Sequence, residues 1–172
     1  MHYDDAHTFA LKVKHQLKFL TKCSTIIVGS IRRKSSIVHD IDLLVISADP
    51  NTALKNATLR RGPLFFVKDL SNGIKRRSML VRDSQTGRVV QVDLFVATTS
   101  EKPYALFHHT GSVEYNIRVR ANAARQGWRL NQYGIFNAST GRRVQHSAAI
   151  HSEKELARFL GITYRAPPDR IA

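Results

Sequence analysis

The amino-acid sequence predicts a helix-backed mixed β-sheet, an α+β or α/β unit, followed by a smaller lobe dominated by helices. Three observations predict it. Residues 6–20 carry one apolar stripe at helical spacing. Between residues 25 and 96, short β-branched runs alternate with turn signals. After Pro103 the strand texture gives way to helical periodicity.

Taken in order, Ala6, Phe9, Ala10, Val13, Leu17 and Leu20 fall on one face of an opening helix whose other side holds lysines. Thr25-Ile26-Ile27-Val28 reads as a strand ended by Gly29-Ser30. A basic segment, Ile31 to Ser36, leads to a second strand over Ile41–Ile46. Asp49-Pro50-Asn51 breaks that strand and starts a short helix reaching about Leu59, and Arg60-Arg61-Gly62-Pro63 marks the next boundary. Strands are expected at Leu64–Leu70, Ile74–Arg82 and Arg88–Val96, separated by Ser71-Asn72-Gly73 and Asp83-Ser84-Gln85-Thr86-Gly87. Tyr104–His109 reads as a helical turn stopped at Thr110-Gly111, and Val113–Gln126 as a helix with Gly127 beyond its end. Ser152-Glu153-Lys154-Glu155 is a capping-box pattern opening a last helix through Leu160, and the tail from Ala166 is extended. The expected division is a sheet lobe, residues 1–102, and a helical lobe, residues 103–172, with no flexible linker.

The totals bound the function. A chain of 172 residues with 42% apolar and 23% charged residues is ordinary for one globule or two small lobes. Its single cysteine, Cys23, excludes an internal disulfide, and eight histidines without zinc spacing argue against a zinc site. Without a signal peptide or an apolar run of spanning length, a soluble intracellular monomer with no membrane partner is expected. Lys and Arg total 27 against 13 acidic residues, a net charge of +14. So large an excess repels itself unless a polyanion neutralises it.

Against this basic background, Asp40 and Asp42 stand at the start of an apolar strand. Positions i and i+2 share one face of a strand, so the two carboxylates point the same way. Close like charges need a cation or a shared proton, and Mg²⁺ takes one or two carboxylates plus substrate phosphates. Asp93 is a third acid inside a strand pattern; were its strand a neighbour of the first, three carboxylates would converge. Taken alone, an Asp-x-Asp pair reads as a solvated strand start. Gly29-Ser30 upstream, followed by Arg32 and Arg33, changes that balance by offering N–H groups, a hydroxyl and guanidinium groups to phosphate. Together these features describe two-metal nucleotidyl transfer.

Gly29-Ser30, Asp40-Ile41-Asp42 and the distant Asp93 resemble the nucleotidyltransferase signature, and Gly29-Ser30-Ile31-Arg32-Arg33 resembles family X DNA polymerases more narrowly. His109-Thr110-Gly111-Ser112, Asn116, Arg120 and Asn131-Gln132-Tyr133-Gly134 are similar to that family's nucleotide-binding and thumb motifs, and the likeness runs from about residue 24 to the end. It implies an α+β fold, a nucleotidyltransferase palm with a thumb-like helical/β lobe. It also implies addition of dNMP to a primer 3′-hydroxyl, serving base excision repair. Asp40, Asp42 and Asp93 would be the catalytic, metal-binding residues, with two Mg²⁺ ions as cofactor and Mn²⁺ as a substitute. Gly29, Ser30, Arg33, His39, His108, His109, Gly111 and Asn116 would surround the incoming nucleotide, and Arg120 would meet the template strand.

The implied partners are gapped or nicked double-stranded DNA, a dNTP and a DNA ligase. A cis bond at Gly111-Ser112 is also implied. Lys75, Arg76 and Arg77 read either as a solvated face or as DNA contacts, and His108 and His109, by themselves, as helix-surface histidines. His39 before the first Asp, His109 in place of Phe, and Val113 in place of an acid depart from the family pattern. Residues 1–24 hold no lyase or helix-hairpin-helix region, so the basic surface is expected to grip the duplex unaided. The alternatives are a template-independent nucleotidyltransferase and an inactive DNA-binding module.

Overall fold

The computed structural model describes residues 1–57, 59 and 62–170. The opening stripe forms helix α1 (Tyr3–Thr21), whose Ala6, Phe9, Ala10, Val13 and Leu17 are buried. The β-branched runs form a five-stranded sheet: β1 (Ser24–Ile27), β2 (Ile41–Ile46), β3 (Leu64–Asn72), β4 (Arg76–Asp83) and β5 (Val89–Ala97), in spatial order β1-β2-β5-β4-β3. All neighbours are antiparallel except β2 and β5, which run parallel, so the sheet is mixed as expected. Between β1 and β2 lies the one-turn helix α2 (Gly29–Arg32). Helix α3 (Pro50–Asn56) starts where Asp49 accepts from the Thr52 N–H at 3.1 Å and Pro50 sets the first turn. It ends three residues before the expected limit; Arg60 and Arg61 of the adjoining boundary lie outside the described residues.

Period-two alternation divides the sheet into two faces. Ile41, Leu43 and Val45 of β2 pack with the α1 stripe in the main core. Leu44 and Ala97 point the other way and pack with Val28 and with Ala105 of helix α4 (Lys102–Thr110). Asp42 and Asp93 lie on this second face, two positions from Leu44 and Phe95. A fully buried aliphatic side chain is worth about 1.5–3 kcal/mol, so the small apolar layer under Ala105 seats α4 firmly beside the carboxylates.

The rest of the chain gathers on a second core of Tyr104, Phe107, Tyr115, Val119, Leu156 and Leu160. Helix α5 (Val113–Arg125) is capped by Ser112, which accepts from the Tyr115 N–H at 3.3 Å. Helix α6 (Glu153–Phe159) uses the capping box: Ser152 accepts from Glu155 N–H, and the Glu155 carboxylate accepts from His151 N–H at 2.7 Å. Between them a hairpin of β6 (Trp128–Asn131) and β7 (Gly134–Asn137) adds two strands not foreseen from residue patterning. The Asn131 side chain accepts from the Tyr133 and Gly134 N–H groups and folds the turn. Trp128 packs inward against Phe159, and the tail forms a 3₁₀ turn over Pro167–Asp169 rather than a purely extended segment.

Candidate active site

The parallel pairing of β2 with β5 puts Asp42 opposite Asp93, and Asp40 precedes Asp42 by one side-chain period. One carboxylate oxygen from each of the three lies within 4.8 Å of the other two. Asp93 is buried, and both its oxygens are held: Oδ2 accepts from Arg76 Nη2 at 2.8 Å and Oδ1 from Gln91 Nε2 at 3.1 Å. Burial, then the charges of Asp40 and Asp93, push the Asp42 carboxyl up to about 7, against the opposing pull of Arg33 and Arg76. An oxygen-rich cluster with its charges in mutual repulsion suits a hard divalent cation, and the three residues present fit that group.

The loop leading into α2 lies directly on this cluster. Gly29 has φ +61°, and a Cβ there would sit 1.9 Å from Asp42 Oδ2, so glycine is required for the close approach. The Val28 N–H donates to the Asp42 carbonyl at 3.0 Å and pins the loop to the strand. Ser30 follows with its Oγ buried and without a hydrogen-bond partner, an unmet polar group beside the carboxylates of the kind a phosphate oxygen satisfies. Arg33 donates to the Thr110 carbonyl; burial lowers its pKa while Asp42 opposes the shift. Its guanidinium also lies 3.1 Å from where a Cβ on Gly111 would stand, and the Gly111-Ser112 peptide is cis.

The remaining residues singled out from the sequence divide. His108 shares a hydrogen bond with Arg120 and its carbonyl accepts from Asn116 Nδ2 at 2.8 Å, so these three form one unit on α4 and α5. His109 is stacked on Phe95 at 3.9 Å between ring centroids rather than lying on the helix surface. Burial and the neighbouring positive charge hold His108 down to about 4; burial, His108 and Arg76 hold His109 down to about 3, so both are neutral at pH 7. A cleft of about 750 Å³, lined by Arg76, Phe95, His108, His109 and Tyr133 among others, opens beside them. His39 stands exposed next to Asp40.

Within the basic cluster, Arg77 needs correction. Arg76 reaches Asp93 at 2.8 Å while its side chain stays 56% exposed. Arg77 points to the opposite face of β4, is 7% exposed, and is spent on Asp69 and the carbonyls of Leu54 and Ala57. It cannot reach a DNA phosphate from there. Lys75 pairs with Glu101 at 2.8 Å and lies over the Tyr133 ring, linking the sheet edge to the β6–β7 turn.

Patterning also missed a buried ionic cluster behind the Gly29-Ser30 loop. Arg32 donates to Glu153 and to Thr110 Oγ1, and Glu153 faces Arg170 at 2.8 Å. Arg170 is 1% exposed and lies between the Tyr115 and Tyr164 rings. The Ser152–Glu155 capping box was visible, but nothing in its spacing joins Glu153 to Arg32 or to Arg170.

A mixed sheet with three convergent carboxylates, a Gly-Ser loop laid over them, and a helical lobe closing one side is a nucleotidyltransferase palm with a thumb. Residues 105–171 match the family described as DNA polymerase beta thumb. The chain is 38% identical over 158 residues to Repair DNA polymerase X of African swine fever virus (isolate Tick/Malawi/Lil 20-1/1983), covering 90% of this chain and 85% of that protein. It is 27% identical to the DNA polymerase/3'-5' exonuclease PolX of Bacillus subtilis, over 94% of this chain and 28% of that one. The fold matches polymerase beta of Leishmania infantum with a TM-score of 0.77 at 17% identity, over 100% of this chain and 77% of that structure. The chain belongs to the family X DNA polymerases and is a DNA-directed DNA polymerase.

Proposed function

We propose that this polymerase fills short gaps in double-stranded DNA by two-metal nucleotidyl transfer, within base excision repair, and leaves a nick for a DNA ligase. The observation that carries the reading is the convergence of Asp40, Asp42 and Asp93 beneath a loop whose buried Ser30 hydroxyl lacks a partner. Two Mg²⁺ ions, for which Mn²⁺ can substitute, would be held by the three carboxylates and would acidify the primer 3′-hydroxyl and neutralise the triphosphate.

The chain's own residues supply orientation. Asp93, clamped by Arg76 and Gln91, presents one fixed carboxylate to the primer terminus. Ser30 and Arg33 bind the β- and γ-phosphates, and His39, exposed next to Asp40, is assigned to the same nucleotide. The Phe95-backed ring of His109 and the Gly111 backbone bound the sugar, and Asn116 faces the base. Arg120, held by His108, meets the template strand. In this reading residues 1–102 are the catalytic palm and residues 103–172 bind nucleotide and template. In the same reading the enzyme works as a soluble intracellular monomer, in the host cytoplasm and the virion if its source is viral; no helix among the described residues is long and apolar enough to cross a membrane.

Primer extension on a duplex with a one-nucleotide gap, with each dNTP singly and with or without Mg²⁺, tests the proposal. Extension dictated by the template base and dependent on metal is expected. Template-blind addition would overturn the gap-filling reading, and metal-independent addition would overturn the two-metal mechanism.

A further inference from the structure

Helix α1 buries one stripe against the sheet and leaves a second stripe in solvent along its C-terminal half. Leu11 and Phe19 on that outer side are 46% and 69% exposed, and His15 meets the Phe19 ring edge-on at 5.0 Å. Lys14 and Lys18 stand four residues apart, the spacing that aligns side chains along one ridge of the helix, and Lys22 follows at its left-handed C-cap. None of the three pairs with a carboxylate among the described residues, whereas Lys12 on the same helix is held by Asp83. These residues border a groove of about 1170 Å³ that runs from α1 to the start of β1, the edge strand of the sheet, and to Gly62 and Pro63. No acidic side chain lines it among the described residues. Thr25, on the groove wall, is 6% exposed and its Oγ1 has no hydrogen-bond partner.

The groove stands apart from the chemistry. Ser24 pairs with Ile46 at one end of β2, and the catalytic carboxylates lie at the other, about 13 Å away along the strand at ~3.3 Å per residue. An occupant would leave the polymerase cleft open. At this volume the groove exceeds the roughly 300–1,000 Å³ of small-molecule sites. Its apolar floor and lip suit anchoring side chains more than a sugar–phosphate backbone, which favours a cationic track with several aromatic platforms.

We propose that the groove between α1 and β1 docks an acidic, apolar-anchored segment of a partner protein. Its carboxylates would face Lys14, Lys18 and Lys22 and its apolar side chains would pack on Leu11 and Phe19. Lysines that pair with no carboxylate among the described residues, beside exposed apolar surface, give such a segment both its attraction and its anchor.

The test uses the full chain and a fluorescein-labelled amphipathic peptide of Glu, Leu and Phe, with binding read by anisotropy at about 0.15 M salt. A peptide with Gln for every Glu and a single-stranded oligonucleotide serve as comparison ligands. The acidic peptide is expected to bind, and to lose about tenfold or more in affinity to Phe19→Ser and to the double variant Lys18→Glu, Lys22→Glu. Hydrogen exchange should be slowed over residues 11–25 on binding, while primer extension by both variants stays at the wild-type level. Equal binding of the Gln peptide, protection confined to the catalytic cleft, or insensitivity to both variants would overturn the proposal. So would displacement of the peptide by the oligonucleotide with the same dependence on Lys18 and Lys22, which would assign the groove to nucleic acid.

Discussion

Replacing Gly29 by alanine tests the geometry of the site more sharply than removing a carboxylate, because it adds one methyl group and deletes nothing. The new Cβ would fall 1.9 Å from Asp42 Oδ2, 2.7 Å from its Cγ and 2.8 Å from its Cβ. Carbon contacts relax to about 3.5 Å, so the carboxylate must swing by about 1.5 Å. The Asp42 Cβ is fixed to the backbone, so side-chain rotation alone does not relieve the clash, and α2 and β2 must also part by roughly 0.7 Å. The left-handed φ of +61° adds about 1–2 kcal/mol for a residue with a Cβ, and overpacking about 1–3 kcal/mol more. Unfolding in urea should therefore show a loss of about 2–5 kcal/mol. A shift of about 1 Å in a catalytic group costs on the order of 10²-fold, so single-turnover extension of a gapped primer should slow by at least that much. Mn²⁺ affinity, followed by electron paramagnetic resonance, should fall with it, while gapped-DNA affinity stays within about threefold because the basic surface is untouched. A Gly29→Ala enzyme that kept both its extension rate and its Mn²⁺ affinity would refute the placement of the loop on Asp42.

Other perturbations reach different parts of the molecule. Asp42→Ala should retain DNA binding and nearly abolish nucleotide transfer, by roughly 10³-fold or more; normal extension would remove the metal assignment. Because the folded protein holds the Asp42 proton to about pH 7, more tightly than an unfolded chain does, this group makes metal-free stability fall as pH rises from about 4 to about 7. The stability difference between wild type and Asp42→Asn, measured by urea unfolding across that range without metal, should therefore grow with pH and shrink when Mg²⁺ is added. Glu153→Ala leaves Arg170 buried without a counter-ion and should cost about 3–5 kcal/mol in thermal or urea unfolding, whereas exposed Arg88→Ala should cost under about 1 kcal/mol. Affinity for gapped DNA should fall on the order of 10³-fold between 50 and 200 mM salt, measured by anisotropy, if the +14 chain grips the duplex through about six phosphates. A flat salt response would count against that grip.

Local rules made much of this molecule legible. Period-two spacing put the carboxylates of Asp40, just before β2, and of Asp42, within it, on one side, and the β-branched runs and turn residues marked all five strands of the main sheet to within a few residues. The α1 stripe, the Asp49-Pro50 helix start and the Ser152 cap each depend on contacts within a few positions, so the residues themselves dictate them. The β6–β7 hairpin escaped because strands of four residues carry little periodic signal and their turn relies on the Asn131 side chain.

What lies far apart in the chain only the tertiary structure decided. Asp93 meets Asp42 because β5 runs parallel to β2 in one register; a slip of one residue would turn it to the opposite face. Arg76 and Arg77 are equivalent in composition, yet the pleat sends one to Asp93 and buries the other on Asp69. Arg32, Glu153 and Arg170 are brought together across the lobes, and His108 finds Arg120 from the next helix. The physical reason is one of range. Propensity, alternation and capping act over a few residues and are written locally, whereas pairing and burial depend on the sum of contacts over the whole chain. The nucleotidyltransferase signature could thus be read from short motifs, while the partners that hold each candidate site residue in place required the fold.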